Sequence, residues 1–384
     1  MSALSRRRFL NAIGVAAAAP LLQPAVVAAK LTDQNPSQNV SGRPAWRQST
    51  FIEALVRLLS RRGHRLDYVD LMGASGMAFS VRFARSSVPD ICGGRLHPGI
   101  STDGSLEQHL NAVLRLSGST LRVLQGFPPK EADAEKLTAK ALEAGGPFIA
   151  LNVAGGTDWC LVSEPTHTAN TFVCETAFGD ITSKLPADVW ALQASEYELP
   201  APLFLQTAID ALTPATLKIS CRANWIWHYQ PTLESGLRAY DAWLDDLNSL
   251  VNLPKDQALM YWQGQATLYH HLFDARRAAQ VYLERLAASQ DGRAAGLLRQ
   301  ASDEYRHLTA ALAESWAVPY LRGGYRHPNG WRIEERLEDF NGASIPRYDS
   351  SWTTADRRKA TRLIGDARTT DQRVLRLLLG ALDL

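Results

Sequence analysis

Apolar positions change their spacing near residue 200, and the change divides the chain. Before it, elements of both periods occur. A helix is expected over 51–62, with Phe51, Leu55, Leu58 and Leu59 on one face, Ser49 or Thr50 as its N-cap and Gly63 as its stop. A glycine-punctuated segment follows over 71–79, then a helix at 106–116, a strand at 120–124 and a helix at 131–143. Gly145-Gly146-Pro147 is a turn signal, and 148–153 reads as a buried strand. The stretches 158–163 and 171–176 read as a hairpin around a turn at 165–168. Beyond residue 200 the spacing is near 3.6, over 203–212, 233–250, 257–288, 294–316 and 354–382. In the longest of these, Tyr261, Leu268, Leu272, Ala275, Ala279, Tyr282 and Leu286 form one stripe. The Gly-, Pro- and Arg-rich stretch 323–351 is loop-like, and no solenoid period or sustained heptad is present. The expected class is α+β, with an α+β domain over 49–200 followed by a helical domain over 201–384.

The N-terminus has a different character. Ser5-Arg6-Arg7-Arg8-Phe9-Leu10 resembles the bacterial twin-arginine export consensus, in which Arg6, Arg7, Phe9 and Leu10 are the residues read by the receptor. A short apolar run from Ala12 to Ala19 follows, then Pro20, Leu21 and Leu22, and small residues close the segment at Ala28 and Ala29. The pattern implies a signal peptide over 1–29, carried by the twin-arginine translocase, and a polar lead-in over 30–48. The run is Ala-rich and broken by Pro20 and Pro24, which makes it a poor spanning helix. A periplasmic or extracellular protein with no stable membrane span is therefore expected.

Without Arg6, Arg7 and Arg8 the basic residues fall from 41 to 38 against 39 acidic ones, a net charge of −1. That balance argues against nucleic acid as a partner. With 46% hydrophobic and 21% charged residues, the composition is that of an ordinary globular chain. The expected destination is oxidising, so Cys92, Cys160, Cys174 and Cys221 are disulfide candidates. If the hairpin turns about His167, Cys160 and Cys174 lie opposite one another, and a bridge between them is expected.

Three segments together resemble the papain-like proteins related to butirosin-biosynthesis protein H. The first is the opening helix with Leu71-Met72-Gly73-Ala74-Ser75-Gly76-Met77-Ala78-Phe79. The second is Ala144-Gly145-Gly146-Pro147-Phe148-Ile149 leading into Asp158-Trp159-Cys160-Leu161-Val162. The third comprises Gly236-Leu237-Arg238-Ala239-Tyr240-Asp241-Ala242-Trp243, Asp274-Ala275-Arg276-Arg277-Ala278-Ala279 and Tyr282-Leu283. The resemblance implies a papain-like first domain, a helical second domain and an ancestral acyl-transfer or amide-hydrolysis chemistry. It also implies a cysteine at the start of the first helix and a histidine before the strand tryptophan. This chain has Ser49, Thr50 and Phe51 at the first place and Asp158 before Trp159 at the second.

The remaining nucleophile candidates sit in glycine-bearing segments. Cys92, in Pro89-Asp90-Ile91-Cys92-Gly93-Gly94, has His97 or His64 as a candidate base. Ser75 lies between Gly73 and Gly76, which can admit close approach of a ligand to the backbone. It is not a nucleophile elbow, since Met77 stands where that motif needs glycine. Asp158 is a candidate base or amine anchor, with Trp159 beside it in the expected cleft, or else the cap of a turn after Gly155-Gly156-Thr157. His270, His271 and Asp274, with Glu304 and His307, have helical spacings seen in metal sites, but only one Glu-x-x-His unit is present and no metal is expected. Phosphate loops, dinucleotide fingerprints and zinc-type cysteine spacings are lacking, so the residues name no cofactor. Two functions follow: a hydrolase or acyltransferase on a small amide, ester or thioester, or a catalytically inactive protein binding a small molecule in the same cleft.

Overall fold

Ser49 is the N-cap of the first helix, its hydroxyl accepting from the backbone N–H of Ile52. The structure, a computed structural model, describes residues 49–84, 119–125, 146–151, 159–165, 171–176, 179–184, 190–196, 205–218, 232–249, 255–314 and 354–382. The signal peptide expected over 1–29, the lead-in expected over 30–48, the helices expected at 106–116 and 131–143, and the stretch 323–351 lie outside the described residues.

Helix α1 (Thr50–Arg61) buries Phe51, Ile52, Leu55, Leu58 and Leu59. Glu53 near its start and Arg61 at its end suit the helix dipole. It stops as expected at Gly63, whose φ of +84° lets the N–H groups of Gly63 and His64 return to the carbonyls of Ser60 and Leu59. The first part of the glycine-punctuated segment, 71–74, lies in another helix, α2 (Tyr68–Ala74), and turns follow it over 75–79. Asp67 caps it, and Asp70 answers with a bond to the Asp67 N–H.

The strands form two antiparallel sheets. Those of the larger sheet are β2 (Ser119–Gln125), β3 (Phe148–Leu151), β4 (Trp159–Pro165), β5 (Thr171–Thr176), β6 (Gly179–Lys184) and β7 (Trp190–Glu196). They lie in the order β2-β7-β3-β4-β5-β6. The smaller sheet orders β1 (Arg82–Ala84), β9 (Thr232–Ser235) and β8 (Ala215–Lys218) as β1-β9-β8. Residues 232–235, expected at the start of a helix, thus belong to a strand held by partners distant in sequence.

Five more helices complete the described chain: α3 (Leu205–Leu212), α4 (Leu237–Ser249), α5 (Lys255–Ala288), α6 (Gly292–Glu314) and α7 (Thr354–Leu382). None of the described helices is long and apolar enough to cross a membrane. On α5, the expected stripe is buried at Leu268, Leu272, Ala275, Ala279, Tyr282 and Leu286. Helix α5 packs on α2 and on α6, α6 on α7, and α7 on α3 and α4. One apolar cluster runs from α1, α2 and the inner face of the sheet into these helices, and Ser37–Leu384 forms one compact unit. The architecture is α+β, with small antiparallel sheets and a mostly helical remainder.

A buried ionic knot ties the helices together. Arg276 of α5 is 0% exposed and forms a fork onto Asp371 of α7, with Nε to Oδ1 at 2.8 Å and a shorter contact from Nη2 to Oδ2. Its Nη1 donates to the Ala78 carbonyl at 2.7 Å, and Nη2 also donates to the Tyr240 hydroxyl at 3.0 Å. The Tyr240 hydroxyl donates to Asp371 at 2.8 Å. Burial pushes the Asp371 carboxyl up while Arg276 opposes that shift, so the pair survives only because each charge answers the other.

Candidate functional site

Two elements carry the groups singled out by sequence: the N-terminus of α1 and the start of β4. They touch. The backbone N–H of Trp159 donates to the Thr50 hydroxyl at 3.1 Å, and the Phe51 and Trp159 rings meet edge-to-face at 5.0 Å. Both rings are fully buried, a good arrangement for aromatic quadrupoles. At the other end of α1, Arg57 and Arg61 pair with Glu175 of β5. Helix α1 is thus fixed across the sheet at both ends.

Behind the N-terminus runs a buried polar chain. The backbone N–H of Ser49 donates to the Tyr68 hydroxyl at 3.0 Å, which donates to Asp274 Oδ2 at 2.5 Å. Burial, then the charge of Asp274, pushes the Tyr68 phenol well above its usual value, so it stays protonated and works as a donor. Asp274, considered above as a metal ligand, is committed to this hydroxyl. Glu304 pairs with Arg373 at 3.1 Å, and the His270 side chain lies outside the described residues. Among the described residues, no cluster of three or more His, Cys, Asp or Glu side chains could hold a metal ion.

The glycine-bearing segment serves packing. Ser75 is 3% exposed; its hydroxyl donates to the Met72 carbonyl at 3.1 Å and accepts from the Met77 N–H at 3.2 Å. Both bonds close the C-terminal turn of α2, so the Ser75 hydroxyl serves there as a local cap. A Cβ on Gly73 would lie 2.1 Å from the ring of Tyr282, so that aromatic already fills the space expected to admit a ligand. Gly76 has a φ of +73°, and a Cβ there would lie 2.7 Å from the carbonyl of Thr207 in α3. Neither glycine opens a cleft. Both permit contacts between distant segments.

Beside them is a clasp the sequence did not reveal. Arg285 of α5 donates to Asp67 at 2.8 and 2.9 Å and to Asp70 at 2.8 Å. Burial, then the charge of Asp67, pushes the Asp70 carboxyl up to about 6. Asp67 is held below its usual value, as Arg285 and the capping bonds outweigh its burial.

Cys160 of β4 and Cys174 of β5 are buried thiols. The expected direct opposition is corrected by the ladder, which pairs Cys160 with Thr176 and Cys174 with Val162. The pairs at the cysteines are symmetric about position 168 rather than His167, which moves each partner by two residues, and a bulge between Val162 and Glu164 shifts the register again nearer the turn. Cys92, with its candidate base His97, and Asp158 lie outside the described residues; His64 lies within them, half-buried just beyond α1. Trp159 is an expected cleft residue that meets α1. Sequence reading missed Tyr68 altogether, and it singled out Thr50 and Asp274 for other roles, a helix cap and a metal ligand. No protein-family model matches this chain, and no curated protein matches it either.

Proposed function

We propose that this chain is an exported protein of papain-like architecture that binds a small molecule or serves an accessory role, without covalent catalysis. The carrying observation is the use made of the two hydroxyls at the start of α1. In the fold that the sequence resembles, the reacting thiol occupies this helix start, where the dipole lowers its pKa, and the base stands at the start of the facing strand. Here Ser49 spends its hydroxyl capping α1, and Thr50 accepts the N–H of Trp159. Both residues are buried. The contact of helix start with strand start supports the architecture; the chemistry at the contact supports a structural use.

Export rests on the order of residues around Arg6 and Arg7. The test of the binding reading is covalent. The folded mature chain is treated with fluorophosphonate, iodoacetamide and acyl-thioester probes, beside an active papain-like enzyme, and adducts are mapped by mass spectrometry. No rapid, folding-dependent acylation is expected at Ser49, Thr50, Ser75 or Cys92. An acyl adduct at any of them that disappears on unfolding restores the hydrolase or acyltransferase reading and overturns this one.

A further inference from the structure

Cys160 and Cys174 share the face of the sheet turned away from α1. On the opposite face Ile149, Trp159 and Leu161 join the main core with α1. Residues Phe148, Ala150, Cys160, Val162, Phe172 and Cys174 are buried too, but outside that cluster. Because Val162 stands opposite Cys174, and Cys160 is two residues before Val162, the cysteines are diagonal neighbours on one face. The Cys160 thiol hydrogen-bonds the Cys174 sulfur, which holds Cys174 below its usual value despite burial. Cys174 in turn directs its S–H to the Phe172 carbonyl at 3.7 Å.

We propose that Cys160 and Cys174 form a reversible dithiol–disulfide site that locks β4 to β5. Diagonal neighbours stand about 7 Å apart at Cα, at the upper edge of disulfide reach, so closure requires a small strand movement. The bulge just past Val162 gives β4 slack for it. A bridge closed under such strain is readily reduced, which makes the site a switch rather than a staple. Its first consequence lies next door: Cys160 follows Trp159, whose N–H anchors the start of α1. Oxidation therefore stiffens the strand end on which α1 is seated.

The oxidant is a small disulfide or a disulfide oxidoreductase. Cys174 thiolate attacks one sulfur of the oxidant, breaking its S–S bond, forming a mixed disulfide and releasing one thiolate. Cys160 then loses its proton and attacks the Cys174 sulfur, forming the internal bond and expelling the second thiolate. Two electrons pass to the oxidant, and the two thiol protons go to its thiolates or to solvent. Both sulfurs are buried, so exchange waits for local opening of the β4–β5 pair.

The test uses the full mature chain with oxidised glutathione, followed by iodoacetamide and peptide mapping. A Cys160–Cys174 linked peptide, two hydrogens lighter than the reduced pair, is expected. Its rate of formation should level off as glutathione disulfide is raised, and dithiothreitol should reverse it. In Cys160→Ser, a stable glutathione adduct should remain on Cys174. Recovery of both cysteines as alkylated thiols after prolonged oxidation overturns the proposal, as does linkage of either one to Cys92 or Cys221. Lack of any adduct on Cys174 in Cys160→Ser overturns its assignment as the attacking thiol. Each outcome is independent of the acylation test, since the oxidant is supplied and no acyl chemistry is involved.

Discussion

Replacing Gly73 by alanine tests directly whether the glycine-bearing segment is a ligand opening or a packing contact. Gly73 lies in α2, where alanine ordinarily stabilises a helix by about 1 kcal/mol. Here the new methyl would lie 2.1–2.4 Å from three ring carbons of Tyr282, inside any tolerable contact. Tyr282 is itself buried and packs edge-on against Phe79 at 6.4 Å, so its ring has little room to retreat. Overpacking of this kind costs about 1–3 kcal/mol or more, which exceeds the propensity gain. A net loss of up to about 2 kcal/mol is expected, read as a lower urea midpoint with an unchanged slope. Tyr282→Leu removes the ring and should return part of that loss when combined with Gly73→Ala. A coupling of about 1 kcal/mol or more would mark the contact. If Gly73→Ala leaves the midpoint unchanged or raises it, the ring does not fill that space and the packing argument is wrong.

The remaining expectations concern charge and export. Asp70 titrates higher in the folded chain, near 6, than its ordinary value of 3.8, so the folded state holds that proton more tightly. Its contribution is complete at acid pH and is lost as pH rises from about 4 to about 6; Asp70→Asn should flatten that part of a urea-midpoint profile. Asp67 has the opposite sign, and below about 4 stability should fall as its carboxylate is protonated away from Arg285. Arg276→Lys keeps the charge but not the fork to Asp371, Ala78 and Tyr240, and should cost about 3 kcal/mol or more in the same assay. Lysine at both Arg6 and Arg7 preserves charge while changing the residues a receptor reads, so precursor should accumulate in the cytoplasmic fraction; unchanged export would remove the signal assignment.

Local signals made α1, the hairpin strands and the long helices legible. Ser49 and Gly63 bracket a clear 3.6 period, and the α5 stripe is continuous enough to survive its undescribed first residues. What failed was set by partners far along the chain. Gly73 reads as a loop residue because the ring that requires its bareness is Tyr282, on another helix. Residues 232–235 carry apolar spacing that runs smoothly into α4, and only pairing with β1 and β8 makes them a strand. The hairpin was found but its register was not, because the strand pairing at the cysteines centres on position 168 rather than His167, and composition does not fix that centre. At the candidate site, the start of α1 and Trp159 were both legible. Their meeting through Thr50 was not, since a threonine in a first helical turn is ordinary.

The Arg276–Asp371 pair also has a consequence for the order of events during synthesis. Its partners are drawn from Ala78, Tyr240, Arg276 and Asp371, so the last of them is made 95 residues after Arg276. Until α7 arrives, burying Arg276 would strand a bare cation in an apolar interior, and the cheaper state keeps it hydrated with α5 apart from α2. The core therefore closes only after α7 has been made, however early the N-terminal helices take shape. The knot acts as a completeness check: a product truncated before Asp371 leaves Arg276 without its carboxylate and has no means of closing this part of its core.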